Sequence, residues 1–254
     1  MTVRRVEHVM GMPISLALRG RHAGDARGDA AWAAALAVLR EADRVFSTYR
    51  ADSAVSRLDC GELTLSDVSA EVAEVLRIGE RAQADSGGAF AVRRADATGR
   101  LRLDPSGVVK GWAVERAAAP LLALPETDVC LSAGGDVLCH TAGPDGVPWQ
   151  IGIENPYDTQ RLIAVVPIRS GAVATSGTAH RGSHLIDART GRAPEGVASV
   201  TVVAPSLTEA DVDATAAYAL GRKAAAWLAA RPQRRGVVVW RDGSVTVVDR
   251  NTAR

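Results

Sequence analysis

The sequence predicts an α+β fold, a single domain over residues 1–254 in which mixed sheets are flanked by helices. Three observations predict it. Hydrophobic periodicity switches repeatedly between two residues and 3.6. The switches follow no regular βαβ alternation, which argues against a doubly wound parallel sheet. Strand patterns crowd the second half, and the chain closes on an Asp-Gly hairpin signal.

In chain order, residues 9–18 read as a strand after a short polar arm, and the polar stretch 19–29 reads as an exposed loop. Residues 27–45 carry Trp32, Leu36, Leu39 and Phe46 near helical spacing, so an amphipathic helix is expected there. A second helix over 69–84 places Val72, Val75, Leu76 and Ala82 on one face, and a third covers 111–123. Strands follow at 129–133, 149–154, 162–168, 172–175 and 197–203, punctuated by turn residues such as Gly143-Pro144 and Pro156. Helices are expected at 207–220 and 222–230. Two β-branched runs, 237–240 and 245–248, flank Asp242-Gly243, a pair suited to the positive φ angles of a type I′ turn.

Composition narrows the function classes. Apolar residues at 47% and charged residues at 23% suit a soluble protein with a sizeable core. A formal net charge of +1 gives no electrostatic case for nucleic acid or an anionic membrane. Cys60, Cys130 and Cys139 are too scattered for a disulfide framework or a zinc cage and read as small core residues. No run approaches a membrane span, and no apolar signal segment follows Arg4 and Arg5, so no membrane insertion and a cytoplasmic location are expected.

Four segments can carry chemistry. Ser206 and Glu209 form an S-x-x-E capping box, after which Asp211 and Thr215 stack at i and i+4. Two such oxygens suit Mg²⁺, and equally suit ordinary helix-start chemistry. Asp213 falls on another face and reads as solvated. In the segment Asp104–Gly111 a strand ends, Pro105-Ser106-Gly107 turns, and Lys110-Gly111 opens a helix; this is either a phosphate site or a surface lysine. The paired Gly134-Gly135 before Asp136 permits close approach of a ligand, or is a plain turn. Ser176, His184 and Asp187 lie in one region without a G-x-S-x-G elbow, so His184 and Asp187 are either a base with its partner or a structural pair. His8, His22, His140 and His180 read as structural or surface residues.

The order of these segments resembles the ApbE-type FAD:protein FMN transferases over most of the chain. Met10-Gly11-Met12-Pro13, Phe46-Ser47-Thr48-Tyr49, Gly88-Ala89-Phe90, Asp104 to Lys110-Gly111, Gly134-Gly135-Asp136, the segment 149–156, the segment 174–177, the segment 184–191 and Asp211 to Thr215 follow in the family's order. The resemblance implies a cleft between two lobes in which FAD meets Met10, Tyr49, Ala89, Phe90, Ala91, Asp104, Lys110, Gly135, Asp136, Ser176 and Leu185. It implies Mg²⁺ on Asp211, Thr215 and the carbonyl near Gly107, with His184 and Asp187 catalytic. The implied reaction moves FMN to a threonine or serine hydroxyl of an acceptor flavoprotein and releases AMP. Magnesium-dependent FAD hydrolysis to FMN and AMP, and flavin binding without catalysis, are the alternatives. An aromatic at Tyr49 favours transfer within the resemblance. The sequence departs from the family at Ala91-Val92, where Asp-Pro is usual, and at Ala188, where proline is usual.

Overall fold

Alternating apolar residues set the first hairpin. In the computed structural model, which describes residues 2–96, 98–177 and 185–249, Thr2–Val9 (β1) pairs antiparallel with Met12–Gly20 (β2). Met10 and Gly11 turn the chain with φ of 56° and 70°, the positive pair a type I′ turn needs. β1 is therefore a strand and not a polar arm. It lies at the sheet edge with most side chains in solvent, which hides the alternation.

β1 and β2 begin an eight-stranded sheet. It continues through Thr127–Ala133 (β5), Asp136–His140 (β6), Ser170–Gly177 (β9), Val197–Ala204 (β10), Arg235–Trp240 (β11) and Val245–Val248 (β12). All neighbours are antiparallel. Two small ribbons stand apart, Arg93–Ala95 (β3) with Leu101–Leu103 (β4), and Trp149–Asn155 (β7) with Asp158–Ile168 (β8).

The helices Ala26–Phe46 (α1), Ala54–Asp59 (α2), Ala70–Asp85 (α3), Ser106–Leu122 (α4), Leu207–Ala219 (α5) and Ala224–Ala230 (α6) build the main core. α1 starts where Asp25 accepts from the amides of Arg27 and Gly28, each at 3.0 Å. The expected loop over 19–29 is a turn at 21–25 only: the stretch ends β2, buries His22 and Ala23, and caps α1. His22 bonds Asp25 at 2.8 Å, so it is a core residue. β5 turns Val129, Leu131 and Ala133 into this core, and burying each Val or Leu contributes about 1.5–3 kcal/mol. β10 is buried at every position, because both sheet faces are covered there. The opposite face carries a second cluster of Val137, Cys139, Ile168, Val173 and Val203, covered by the β7–β8 ribbon.

Candidate active site

α4 begins five residues before its expected start. Asp104 accepts from the Ser106 amide at 3.1 Å, and Pro105 stands at the cap. Proline suits a helix start because no amide there is lost from the ladder. Lys110 therefore sits in the second turn of α4 instead of opening the helix. α5 begins as the capping box implies, with Ser206 Oγ accepting from the Glu209 amide at 3.3 Å. The same hydroxyl donates to Glu115 at 2.7 Å, tying the start of α5 to the middle of α4.

The two helices cross at Gly111. A Cβ there would stand 2.8 Å from both the Asp211 Cβ and the Leu207 carbonyl oxygen. With no side chain in the way, the Gly111 amide donates to Asp211 Oδ2 at 2.9 Å. Lys110 Nζ lies 3.1 Å from Asp211 Oδ1 and 2.5 Å from Asp136 Oδ2. Asp136, first residue of β6, also accepts from the Thr175 amide of β9 at 3.0 Å. One ammonium thus serves two carboxylates that are almost wholly buried.

Electrostatics follow from that count. Burial pushes the Asp211 carboxyl up to about 7 against the pull of Lys110, and Asp136 pushes it the same way. Burial works against the charge on Lys110, yet Asp211 and Asp136 hold its pKa above the ordinary lysine value. Of the 30 basic residues in the chain only Lys110 and Lys223 are lysines, the rest being arginines. Lys110 is thus one of only two compact point charges among the chain's basic residues.

Around this group lies a cavity of about 270 Å³. It brings together Asp104, Gly107, Lys110, Gly135, Ser176, Leu185, Asp211 and Thr215 from the expected set. Thr215 Oγ1 and Ser176 Oγ are 3.2 Å apart. Phe90 packs beneath Gly107, where a Cβ would come within 2.9 Å of the ring. Ala89 is buried, and its carbonyl accepts from the Ala188 amide at 3.0 Å. Met10 is half-buried at the β1–β2 turn, and Ala91 is half-buried before β3. Neither of these two lines the cavity, and nor does Tyr49, which is 99% exposed.

His184 lies outside the described residues, as does His180. Asp187 bonds Arg189 through both carboxylate oxygens, at 2.8 and 2.6 Å, and this arginine holds its carboxyl below the usual range. Asp213 is buried and not solvated: Arg234 reaches it at 2.6 Å and Arg231 at 3.1 Å. The helical wheel separates it from Asp211 correctly, but α6 and the chain entering β11 cover its face. Cys60 is exposed, so it is not a core residue.

Sequence reading missed Arg94, which pairs with Asp104 and lines the cavity, and gave no site role to Gly152, Glu154 and Pro156 within the segment 149–156, which line it at the β7 end. These come from two small ribbons whose placement at the cavity has no local sequence signal. Among the described residues no helix is long and apolar enough to cross a membrane.

The model of the ApbE family matches residues 10–98 and 91–239. The chain is 32% identical over 153 residues to the FAD:protein FMN transferase of Escherichia coli, covering 56% of this chain and 41% of that protein. It is 36% identical over 134 residues to the enzyme of the same name from Vibrio cholerae, covering 48% and 40%. The chain thus spans about two-fifths of the length of the curated relatives it matches. The ApbE protein of Thermotoga maritima superimposes with a TM-score of 0.84 at 20% identity, over 98% of this chain and 97% of that one. The flavin transferase ApbE of Vibrio cholerae gives 0.81 at 24% identity, over 97% and 96%. At these identities the structural likeness shows the fold.

Proposed function

The chain belongs to the ApbE family, and we propose that it transfers FMN from FAD to a threonine or serine hydroxyl of an acceptor flavoprotein, releasing AMP. The observation that carries this reading is the half-buried Lys110, shared by the buried Asp136 and Asp211, at a cavity lined by Gly107, Ser176 and Thr215.

The donors fit the magnesium ion that the family implies. Asp211, Thr215 and the Gly107 carbonyl are all oxygen ligands, which Mg²⁺ prefers. Two buried carboxylates with one ammonium leave a formal charge of −1, and burial first, then Asp136, raises the pKa of Asp211. Among the described residues no three His, Cys, Asp or Glu side chains group as a metal site, so the set is of the sparse kind that leaves room for water and phosphate oxygens. Bound there, Mg²⁺ would neutralise charge on the pyrophosphate and on the departing AMP.

The chain's own residues supply the rest. The Gly134-Gly135 turn leaves open space beside the cavity, so a phosphate can approach the backbone. At about 270 Å³ the cavity encloses less than the roughly 300–1,000 Å³ of pockets for drug-sized ligands, so FAD extends beyond it at both ends. The acceptor hydroxyl oxygen bonds the FMN-side phosphorus as the bond to the AMP phosphate breaks. His184 is the proposed acceptor of the hydroxyl proton, on sequence resemblance alone. Asp187, which orients Arg189 through both carboxylate oxygens, is proposed to support His184, likewise on sequence resemblance. 

Hydrolysis of FAD is the second reading, and the full exposure of Tyr49 favours it, since that ring does not wall the cavity. Incubation with FAD, Mg²⁺ and an acceptor flavoprotein, followed by intact-mass measurement, separates the two. Transfer predicts an acceptor heavier by one FMN with AMP released. Free FMN without a labelled acceptor would sink the transferase reading.

A further inference from the structure

Cys130 of β5 and Cys139 of β6 face each other across an antiparallel pair, with their sulfur atoms 3.8 Å apart. Opposed residues on such strands have Cα atoms about 4.5–5.5 Å apart, inside the roughly 4.4–6.8 Å range that disulfides span. Only the sulfur separation must shorten, to about 2.05 Å, and side-chain rotation can supply that within a fixed hairpin. We propose that Cys130 and Cys139 form an oxidisable dithiol that hydroperoxides convert to a cross-strand disulfide.

The surroundings divide the roles. Cys139 is buried in the small cluster beneath the β7–β8 ribbon, whereas Cys130 is half-exposed at its margin. The hydrogen bond from Cys139, with Arg19 and Arg4 nearby, holds the Cys130 thiol below its usual pKa despite burial. The hydrogen bond to Cys130, together with burial, raises Cys139. Cys130 is thus the attacking thiolate and Cys139 the resolving thiol. The Cys130 sulfur attacks a peroxide oxygen, the O–O bond breaks, and the alcohol or water departs, leaving a sulfenic acid. The Cys139 sulfur then attacks that sulfur and expels the hydroxyl as water. Two thiols and one hydroperoxide give one disulfide, one alcohol and one water. The link lies in the hairpin whose turn carries Gly134, Gly135 and Asp136, so it staples the strand that holds Lys110 in place.

The test uses the full chain treated with hydrogen peroxide, then denatured and alkylated. Untreated protein offers three alkylatable thiols, since all three cysteines are free. The proposal predicts one after oxidation, at Cys60, and three again after reduction, with Cys130 and Cys139 peptides joined. A Cys139→Ser chain should instead accumulate a dimedone-reactive sulfenic acid at Cys130. Three thiols remaining after treatment, or oxidation confined to Cys60, would overturn it. The thiol count on the unmutated chain needs no variant to fold, and it is independent of any flavin reaction.

Discussion

Asp211 and Asp213 stand two residues apart on one helix, both buried, and the molecule uses them in opposite ways. Asp213 faces α6 and the β11 approach, where two arginines meet its carboxylate. Asp211 faces the cavity, where two carboxylates share one lysine. The first carboxylate is paired twice, by arginines that also reach the more exposed Asp85 and Glu209, and it fixes the packing of the C-terminal segment. The second is under-supplied, which costs stability and leaves room for a cation and an anionic substrate. Burial alone therefore does not separate a structural charge from a functional one; the balance of partners does.

Breaking the structural side should give the largest effect on stability. Asp213→Ala leaves the buried Arg234 with only the more exposed Glu209, and Arg231 with only Asp85; loss of one partner of a buried pair costs up to about 3–5 kcal/mol. Urea denaturation should show this, with FMN transfer per folded molecule retained. Breaking the functional side reverses the pattern. Asp211→Asn should lower transfer about 100-fold or more, given the several kcal/mol that metal-held charge contributes, while the urea midpoint holds or rises. If both variants lose stability equally and neither loses activity selectively, the contrast fails.

Gly111→Ala joins the two regions, because its Cβ would press on the Asp211 Cβ and the Leu207 carbonyl. Over-packing of this kind costs about 1–3 kcal/mol. Forcing α4 from α5 should also weaken transfer, so this variant should lose both properties where the other two lose one each.

The smallest effect is on pH dependence. The folded pKa of Asp211, about 7, lies above its ordinary 3.8, so the folded chain holds a proton that the unfolded chain releases. That contribution is full below about pH 4 and is lost as pH rises through 7. Without divalent cations, the thermal midpoint should fall between pH 5 and 8 more in the natural chain than in Asp211→Asn. Added Mg²⁺ should raise the midpoint more at pH 8 than at pH 5, because the cation competes with that proton.

Much of this was legible in the sequence. Periodicity located α1 and α3, the Asp-Gly pair located the last hairpin, and the capping box located the start of α5. The i, i+4 spacing brought Asp211 and Thr215 to one cavity. β1 stayed hidden because an edge strand need not alternate, and β6 because it is buried at four of its five positions. The burial of Asp213 was illegible for another reason: its partners Arg231 and Arg234 lie 18 and 21 residues away along the chain. Local pattern shows which face a residue takes, but not what the fold sets against that face.

The most direct test of the contrast is a calorimetric titration of Mg²⁺ into the FAD-loaded chain, with Asp211→Asn beside it. Binding by the natural chain, with affinity at least tenfold weaker in the variant, is the expected result. Equal affinity in the two chains would contradict the assignment of Asp211 to the cation and, with it, the functional reading of the undercompensated site.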